Sequence, residues 1–212
     1  MTSLCYNTRM DLSNTTEVIL ALRDRLEPVE RANAWKDPLE GYHLTARRAS
    51  VLLALFDQDY ETSLIFIRRA STLRSHSGEI AFPGGSFEPT DDTRIITALR
   101  EAQEEIGLEP SRAEVLGVMP PVFTVVSNFL ITPVVAHLPG GPGTLQLQAS
   151  EVAEVIFLPL KGLADPTIYH SEQWMRDGVP HTVYFYDYGS YRIWGATARM
   201  LNALLELLQS GT

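Results

Sequence analysis

A chain of 212 residues, 45% hydrophobic and 20% charged, has the length and balance of one sizeable domain with a full core. Its net charge of −9 argues against a nucleic-acid surface and gives no sign of a basic membrane patch. Cys5 is its one cysteine, which excludes an intrachain disulfide framework or a cysteine-based zinc site.

The first twelve residues hold no basic segment followed by an apolar run, and no apolar run approaches a membrane span, so a cytoplasmic protein is expected. Ser13 to Leu26 reads as a helix, with Asn14 or Thr15 as its cap and Pro28 as its stop. Glu27 to Leu44 is polar and irregular and reads as a connecting segment. Arg48 to Asp57 is a near-continuous apolar run, the pattern of a buried central strand, and Ser63 to Arg68 follows a turn as a second strand. A polar loop, Ser71 to Gly78, leads through Glu79 to Phe82 into Pro83-Gly84-Gly85. A helix comes next, for which Thr90, Asp91 and Asp92 all offer caps and Gly107 a C-terminal stop.

Ala113 to Val118, Pro121 to Val126 and Phe129 to His137 read as strands, and Pro133 makes the last of them an edge or bulged strand. Val152 to Leu158 is a further strand, with a short helical turn at Pro159 to Leu163. Thr182 to Trp194 suggests a hairpin turning at Asp187 to Ser190. Ala196 to Leu208 closes the chain as a helix with Met200, Leu201, Leu204, Leu205 and Leu208 on its apolar face. This order suits an α/β fold, a mixed β-sheet sandwiched between helices. Residues 1–44 read as an N-terminal helix and connector, and 45–208 as the main domain.

The chemistry gathers on the central helix. Ile95, Leu99, Ala102 and Ile106 recur on one helical face. At about 100° per residue, Glu101, Glu104 and Glu105 fall in one sector away from that stripe. Three like charges at i, i+3 and i+4 repel one another, so a bare helix has no reason to carry them. A divalent cation such as Mg²⁺ supplies one, since hard cations take oxygen ligands and bridge to phosphates.

Arg100-Glu101-Ala102-Gln103-Glu104-Glu105-Ile106-Gly107-Leu108, preceded by Gly84-Gly85 and an intervening acid, resembles the box of the Nudix hydrolase family, G-x5-E-x7-R-E-U-x-E-E-x-G-U with U apolar. Gly85 to Arg100 is one residue longer than that pattern, and the first acid is Asp91 or Asp92. The resemblance implies the α/β/α Nudix fold. It implies metal ligands at Glu101, Glu104, Glu105 and the Gly84 carbonyl, with Mg²⁺ or Mn²⁺ as the cofactor. Glu104, Glu105 and Arg100 belong to the implied catalytic set. Nudix enzymes often take a further acid from the region holding Glu151 and Glu154, as a ligand or base, and Glu151 is preferred to Glu154 for that place in the catalytic set. Arg100 lies off the glutamate sector, so orienting a carboxylate or binding a backbone carbonyl suits it better than touching substrate.

Arg69, Arg74 and His76 crowd the loop before the box, and arginine forks suit phosphate oxygens. Arg69, Ala70, Arg74, Gly78, Phe82, Pro83, Gly84 and Gly85 are similar in register to R-[S/A]-x3-R-x3-G-x3-F-P-G-G, a motif of the coenzyme A diphosphatases within the Nudix family. The L-L-T that normally opens the motif is Ile65-Phe66-Ile67 here. Ile193 to Ala198 also resembles that subgroup. The implied activity is cleavage of coenzyme A or its acyl derivatives to 3′,5′-ADP and 4′-phosphopantetheine, with Arg69, Arg74 and Gly85 binding substrate. The competing readings are a Nudix hydrolase of ADP-ribose, NADH or a dinucleoside polyphosphate, and a nucleotide-sensing Nudix domain without catalysis. The expected partner is a small nucleotide of the coenzyme A type, without nucleic acid or membrane. A homodimer stays open.

Overall fold

The structure, a computed structural model, describes residues 10–30, 45–71, 76–176 and 178–210. Arg74 and residues 31–44, most of the expected connecting segment, lie outside the described residues.

Strands β1 (Arg47–Gln58) and β2 (Glu61–Arg69) form a hairpin, but they pair only from Leu55↔Leu64 to Gln58↔Glu61. Beyond that point they diverge, and the segment after the polar loop fills the fork. Within it β3 (Ile80–Ala81) pairs with β2 at Ile67 and Arg68, and β4 (Gly84–Ser86) pairs with β1 at Ala49 to Val51. Leu52 N–H donates to the Pro83 carbonyl at 2.8 Å. Phe82-Pro83-Gly84-Gly85 is thereby fixed between two central strands. An added Cβ at Gly84 would lie 2.3 Å from the Ser50 carbonyl oxygen, so only glycine fits this close approach.

The sheet continues outward from both strands. β7 (Phe129–His137) runs parallel to β1, and β5 (Glu114–Val118) and β6 (Val122–Thr124) pair antiparallel with β7. β8 (Val152–Pro159) pairs antiparallel with β2. The apolar run of β1 reflects burial on both faces. Leu53 and Leu55 join the core under α1 (Thr15–Arg25) and α4 (Gly195–Gln209), whereas Leu52, Ala54 and Phe56 join the core under α2 (Arg94–Ile106). The Arg25 guanidinium donates to the carbonyls of Leu207 and Leu208 at 2.8 and 3.0 Å, tying α1 to the last turn of α4.

The sequence expectation for Pro133 is corrected. β7 is flanked on both sides, by β1 and by β5 and β6. Pro133 falls in the gap between the β6 partner of Ile131 and the β5 partner of Val134, where a missing N–H costs no ladder bond. The irregular register lies in β5 instead, between Val115 and Gly117.

A short helix, α3 (Leu160–Leu163), follows β8. Then comes a separate three-stranded sheet, β9 (Tyr169–Arg176), β10 (Val179–Tyr188) and β11 (Tyr191–Trp194). The hairpin turn falls at Gly189 and Ser190, as the sequence suggests, but β9 is an additional strand with all eight residues exposed. Among the described residues no helix is long and apolar enough to cross a membrane.

Candidate active site

The site is built on α2 and the fork that faces it. None of the three expected caps starts the helix; Thr93 does, its hydroxyl accepting from Ile96 N–H at 3.1 Å. Asp91 is committed elsewhere. Its two carboxylate oxygens take Nε and Nη2 of Arg100, each at 3.0 Å, in a bidentate pair. It also accepts from the Thr97 hydroxyl and the Glu88 N–H, both at 3.0 Å. Asp91 is buried and Asp92 exposed. The extra residue of the lengthened box therefore lies between this acid and Arg100. The Arg100 guanidinium beside Asp91 lowers that carboxyl to about 2, against the burial that opposes it. Gly107 ends α2 in the left-handed region at φ 70°, donating back to the Gln103 carbonyl.

Arg100 reaches further. It donates to the Ser86 carbonyl at 3.0 Å, to Glu101 at 3.1 Å and to Glu104 at 3.2 Å. These contacts join the acid upstream of the helix, the end of β4 and two of the three helical glutamates. Thr97, one turn before Arg100 on α2, is a member of this network that the motif does not mark.

The three glutamates do not share one environment. Glu105 is 2% exposed, with Oε2 accepting from Gly84 N–H at 2.9 Å and Oε1 3.8 Å from Nη1 of Arg69. Burial raises the Glu105 carboxyl to about 7; the Gly84 bond and Arg69 pull it down, and the charges of Glu101 and Glu151 push it up. Burial also raises Glu101, which packs against Gly85 so closely that an added Cβ there would lie 2.4 Å from its carboxylate. Glu104 is exposed and turned to Arg100.

A loop carries Glu151 to this cluster. Gln148 N–H donates to the Glu105 carbonyl and Gln146 N–H to the Ile106 carbonyl, both at 2.9 Å, capping the end of α2. Glu151 N–H then donates to the Gln148 carbonyl, and Ala70 N–H to the Glu151 carbonyl, each at 2.8 Å. Glu151 is exposed and stands next to the end of β2, where Arg69 lies. Glu154 is engaged on other business, accepting from Arg68 at 2.9 Å and from the Tyr191 hydroxyl at 3.0 Å. His76 is exposed and pairs with Glu79 at 2.9 Å.

The family model of the NUDIX domain matches residues 46–177, more than half of the chain. The chain belongs to the Nudix family. An uncharacterized Nudix hydrolase, NudL, of Photorhabdus laumondii is 40% identical over 163 residues, which cover 77% of this chain and 86% of that protein. Its counterpart in Cronobacter sakazakii is 40% identical over 163 residues, covering 76% and 82%. Among solved structures, a Deinococcus radiodurans protein has a TM-score of 0.52 at 13% identity, covering 80% of this chain and 88% of that one, a likeness of fold alone. The protein is a Nudix diphosphohydrolase.

Nudix enzymes generally use divalent metal ions. The donors here suit a hard cation: Glu101 and Glu105 carry oxygen ligands, the charges of Glu101 and Glu151 raise Glu105, those of Glu104 and Glu151 raise Glu101, and bound positive charge relieves such repulsion. Among the described residues, however, no three acidic, histidine or cysteine side chains converge to hold an ion. Arg100 holds the Glu101 carboxylate at 3.1 Å and the exposed Glu104 carboxylate at 3.2 Å.

Proposed function

We propose that this Nudix hydrolase cleaves the diphosphate of coenzyme A or acyl-coenzyme A in the cytoplasm, with Mg²⁺ or Mn²⁺ as cofactor. Water adds across the P–O–P bridge, leaving one phosphate on 3′,5′-ADP and the other on 4′-phosphopantetheine or its acyl form. Arg69 carries this reading. It is the first arginine of the coenzyme A motif, and its guanidinium sits 3.8 Å from Glu105 with a buried Nε that has no hydrogen-bond partner among the described residues. A cation beside the glutamates with an unused donor is suited to a substrate phosphate.

Glu101, Glu104, Glu105 and the Gly84 carbonyl would hold the metal. When bound, the ion neutralises phosphate charge and lowers the pKa of a coordinated water. Glu151 takes the proton of the attacking water. Arg100 keeps Glu101, Glu104 and the β4 carbonyl in place rather than meeting substrate. Gly85 leaves Glu101 the room that a side chain would occupy, and Arg74 joins Arg69 on the phosphates.

A substrate panel tests the proposal. Coenzyme A, acetyl-coenzyme A, ADP-ribose, NADH and diadenosine polyphosphates are compared with Mg²⁺ and with Mn²⁺, and products are identified by mass. The highest kcat/KM is expected for coenzyme A or its acetyl form, with 3′,5′-ADP as a product. A higher kcat/KM for ADP-ribose, NADH or a dinucleoside polyphosphate overturns the coenzyme A reading.

A further inference from the structure

We propose that the free edge of β9 is a self-association surface, pairing antiparallel with β9 of a second copy about a twofold axis through Trp174.

Strand β9 pairs with β10 in an unbroken register of eight residues, from Tyr169↔Tyr186 to Arg176↔Val179. Among the described residues nothing pairs with its other edge. Proteins usually protect such an edge with proline, a bulge or a covering element, because its backbone N–H and C=O groups invite another strand. β9 contains no proline, its register is regular, and every residue in it is exposed. The edge is therefore long and straight enough to template a further strand.

Charge is the remaining protection, and on β9 it has a particular symmetry. Tyr169 lies on the inner face, against Tyr184 and Tyr186 of β10. By alternation, His170, Glu172, Trp174 and Arg176 share the outer face. Glu172 and Arg176 lie two residues to either side of Trp174. In an antiparallel pair of identical strands about an axis through residue 174, each Glu172 faces Arg176 of the other copy, and this happens twice. Trp174 faces Trp174, and Gln173 faces Met175. An axis through Gln173 sets Glu172 against Trp174, and one through Glu172 sets two like charges together. The register centred on Trp174 joins opposite charges and pairs two aromatic side chains, both favourable cross-strand arrangements.

The apolar surface supports the same axis. Trp174 is 46% exposed and Met175 68% exposed, large values for such side chains in a strand. Trp174 is also fixed rather than loose. Its indole N–H donates to Glu172 at 2.6 Å, and its ring centroid lies 6.1 Å from that of Phe185 and 6.0 Å from that of Trp194. The self-complementary patch meets itself, as a twofold interface requires, and the two three-stranded sheets become one of six strands.

The test is light scattering and sedimentation of the full chain over a range of concentrations, with Glu172→Arg, Arg176→Glu and the double variant. The wild type is expected at the mass of two chains, each single variant at the mass of one, and the double variant back at two. Disulfide capture tests the axis independently of those variants. In a Cys5→Ser background, Trp174→Cys should cross-link two chains on mild oxidation, because only residues near the axis meet their own copies. Tyr169→Cys should not. A monomeric wild type, single variants that stay dimeric, a double variant that stays monomeric, or no cross-link at residue 174 each overturns the proposal.

Discussion

The backbone N–H of Gln148 donates to the carbonyl of Glu105 at 2.9 Å, so the loop that delivers Glu151 is anchored on the helix that delivers Glu105. Two further bonds complete the link: Glu151 N–H to Gln148, and Ala70 N–H to Glu151. The helix end, the loop and the end of β2 are thus one hydrogen-bonded unit. Its geometry rests on backbone groups, which substitution of the acids leaves intact.

The first prediction follows from Glu105. Its folded value of about 7 lies above the ordinary 4.5, so the folded state holds this proton more tightly than the unfolded chain does. The protonated side chain favours the fold below pH 4.5, and that contribution is lost as pH rises through about 7. In excess chelator, Glu105→Gln should therefore be more stable than wild type at pH 8, by on the order of 3 kcal/mol, and nearly equal to it at pH 4. With metal present the same variant should lose activity by orders of magnitude. Urea unfolding at the two pH values and a rate assay with Mg²⁺ check both halves. Wild-type turnover by Glu105→Gln would remove this glutamate from the site.

Asp91 and Asp92 should differ sharply although they are neighbours. Asp91→Asn breaks a bidentate pair with Arg100, and charge-assisted bonds of this kind contribute about 1.5–3 kcal/mol. Asp92→Asn, on an exposed residue, should stay within about 0.5 kcal/mol of wild type. The Asp91 contribution has the opposite pH sense to that of Glu105. Its folded value of about 2 lies below the ordinary 3.8, so the stabilisation is present above pH 3.8 and lost as pH falls toward 2. Denaturant midpoints of the two variants at pH 7 and of wild type against pH measure this. Equal losses at both positions would assign the lengthened box differently.

These contrasts mark what the sequence could and could not convey. The strand β1 and the helix α2 are legible because burial on two faces, or on one helical stripe, writes a strong apolar pattern. The glutamates and Arg100 are legible because a helix gives fixed spacing. The choice between Asp91 and Asp92 is not, since both are acids near a helix start and only the folded path selects which meets Arg100. Thr93 wins the cap for the same reason: Asp91 has a stronger partner. β9 escapes notice because eight exposed residues leave no apolar alternation to read. Pro133 misleads because the rule about edge strands concerns a missing N–H, and here the ladder on one side of β7 is interrupted between β6 and β5 at that point, while β1 pairs on the other side without a break. Gln148 acts through its backbone, which no side-chain pattern reports.

The paired glycines should fail in different ways. At Gly84 an added Cβ meets backbone, 2.3 Å from the Ser50 carbonyl oxygen and 2.6 Å from the Val51 Cα. Gly84→Ala should therefore spread the β1–β4 pairing and lower stability by about 1–3 kcal/mol, the usual cost of forcing volume into a packed place. At Gly85 the Cβ meets the Glu101 carboxylate at 2.4 Å, the end of a side chain that can swing away. Gly85→Ala should thus keep most of its stability while weakening Mn²⁺ binding and kcat. Thermal unfolding and calorimetric Mn²⁺ titration separate the two. If Gly85→Ala binds Mn²⁺ as wild type does, Glu101 is not a ligand.

The last prediction concerns which phosphate Arg69 serves. β2 ends at Arg69, whose guanidinium stands 3.8 Å from Glu105, so a phosphate it holds lies close to the reacting bridge. Coenzyme A carries a 3′-phosphate in addition to its diphosphate, and dephospho-coenzyme A lacks it. A lost charge-assisted contact of about 1.5–3 kcal/mol corresponds to a roughly ten- to hundredfold drop in kcat/KM. Because Arg69 is beside Glu105, Arg69→Ala should lower kcat/KM by that factor on both substrates alike, the mark of a group holding the diphosphate. Arg69→Lys should recover only part of the loss, since an ammonium keeps the charge but not the fork. Arg74→Ala is the complement: if Arg74 takes the 3′-phosphate, its loss falls on coenzyme A and spares dephospho-coenzyme A. Steady-state kinetics of the three variants on the two substrates decide the matter. A loss for Arg69→Ala confined to coenzyme A would move Arg69 to the 3′-phosphate, and no loss in either alanine variant would deprive the coenzyme A assignment of its main support.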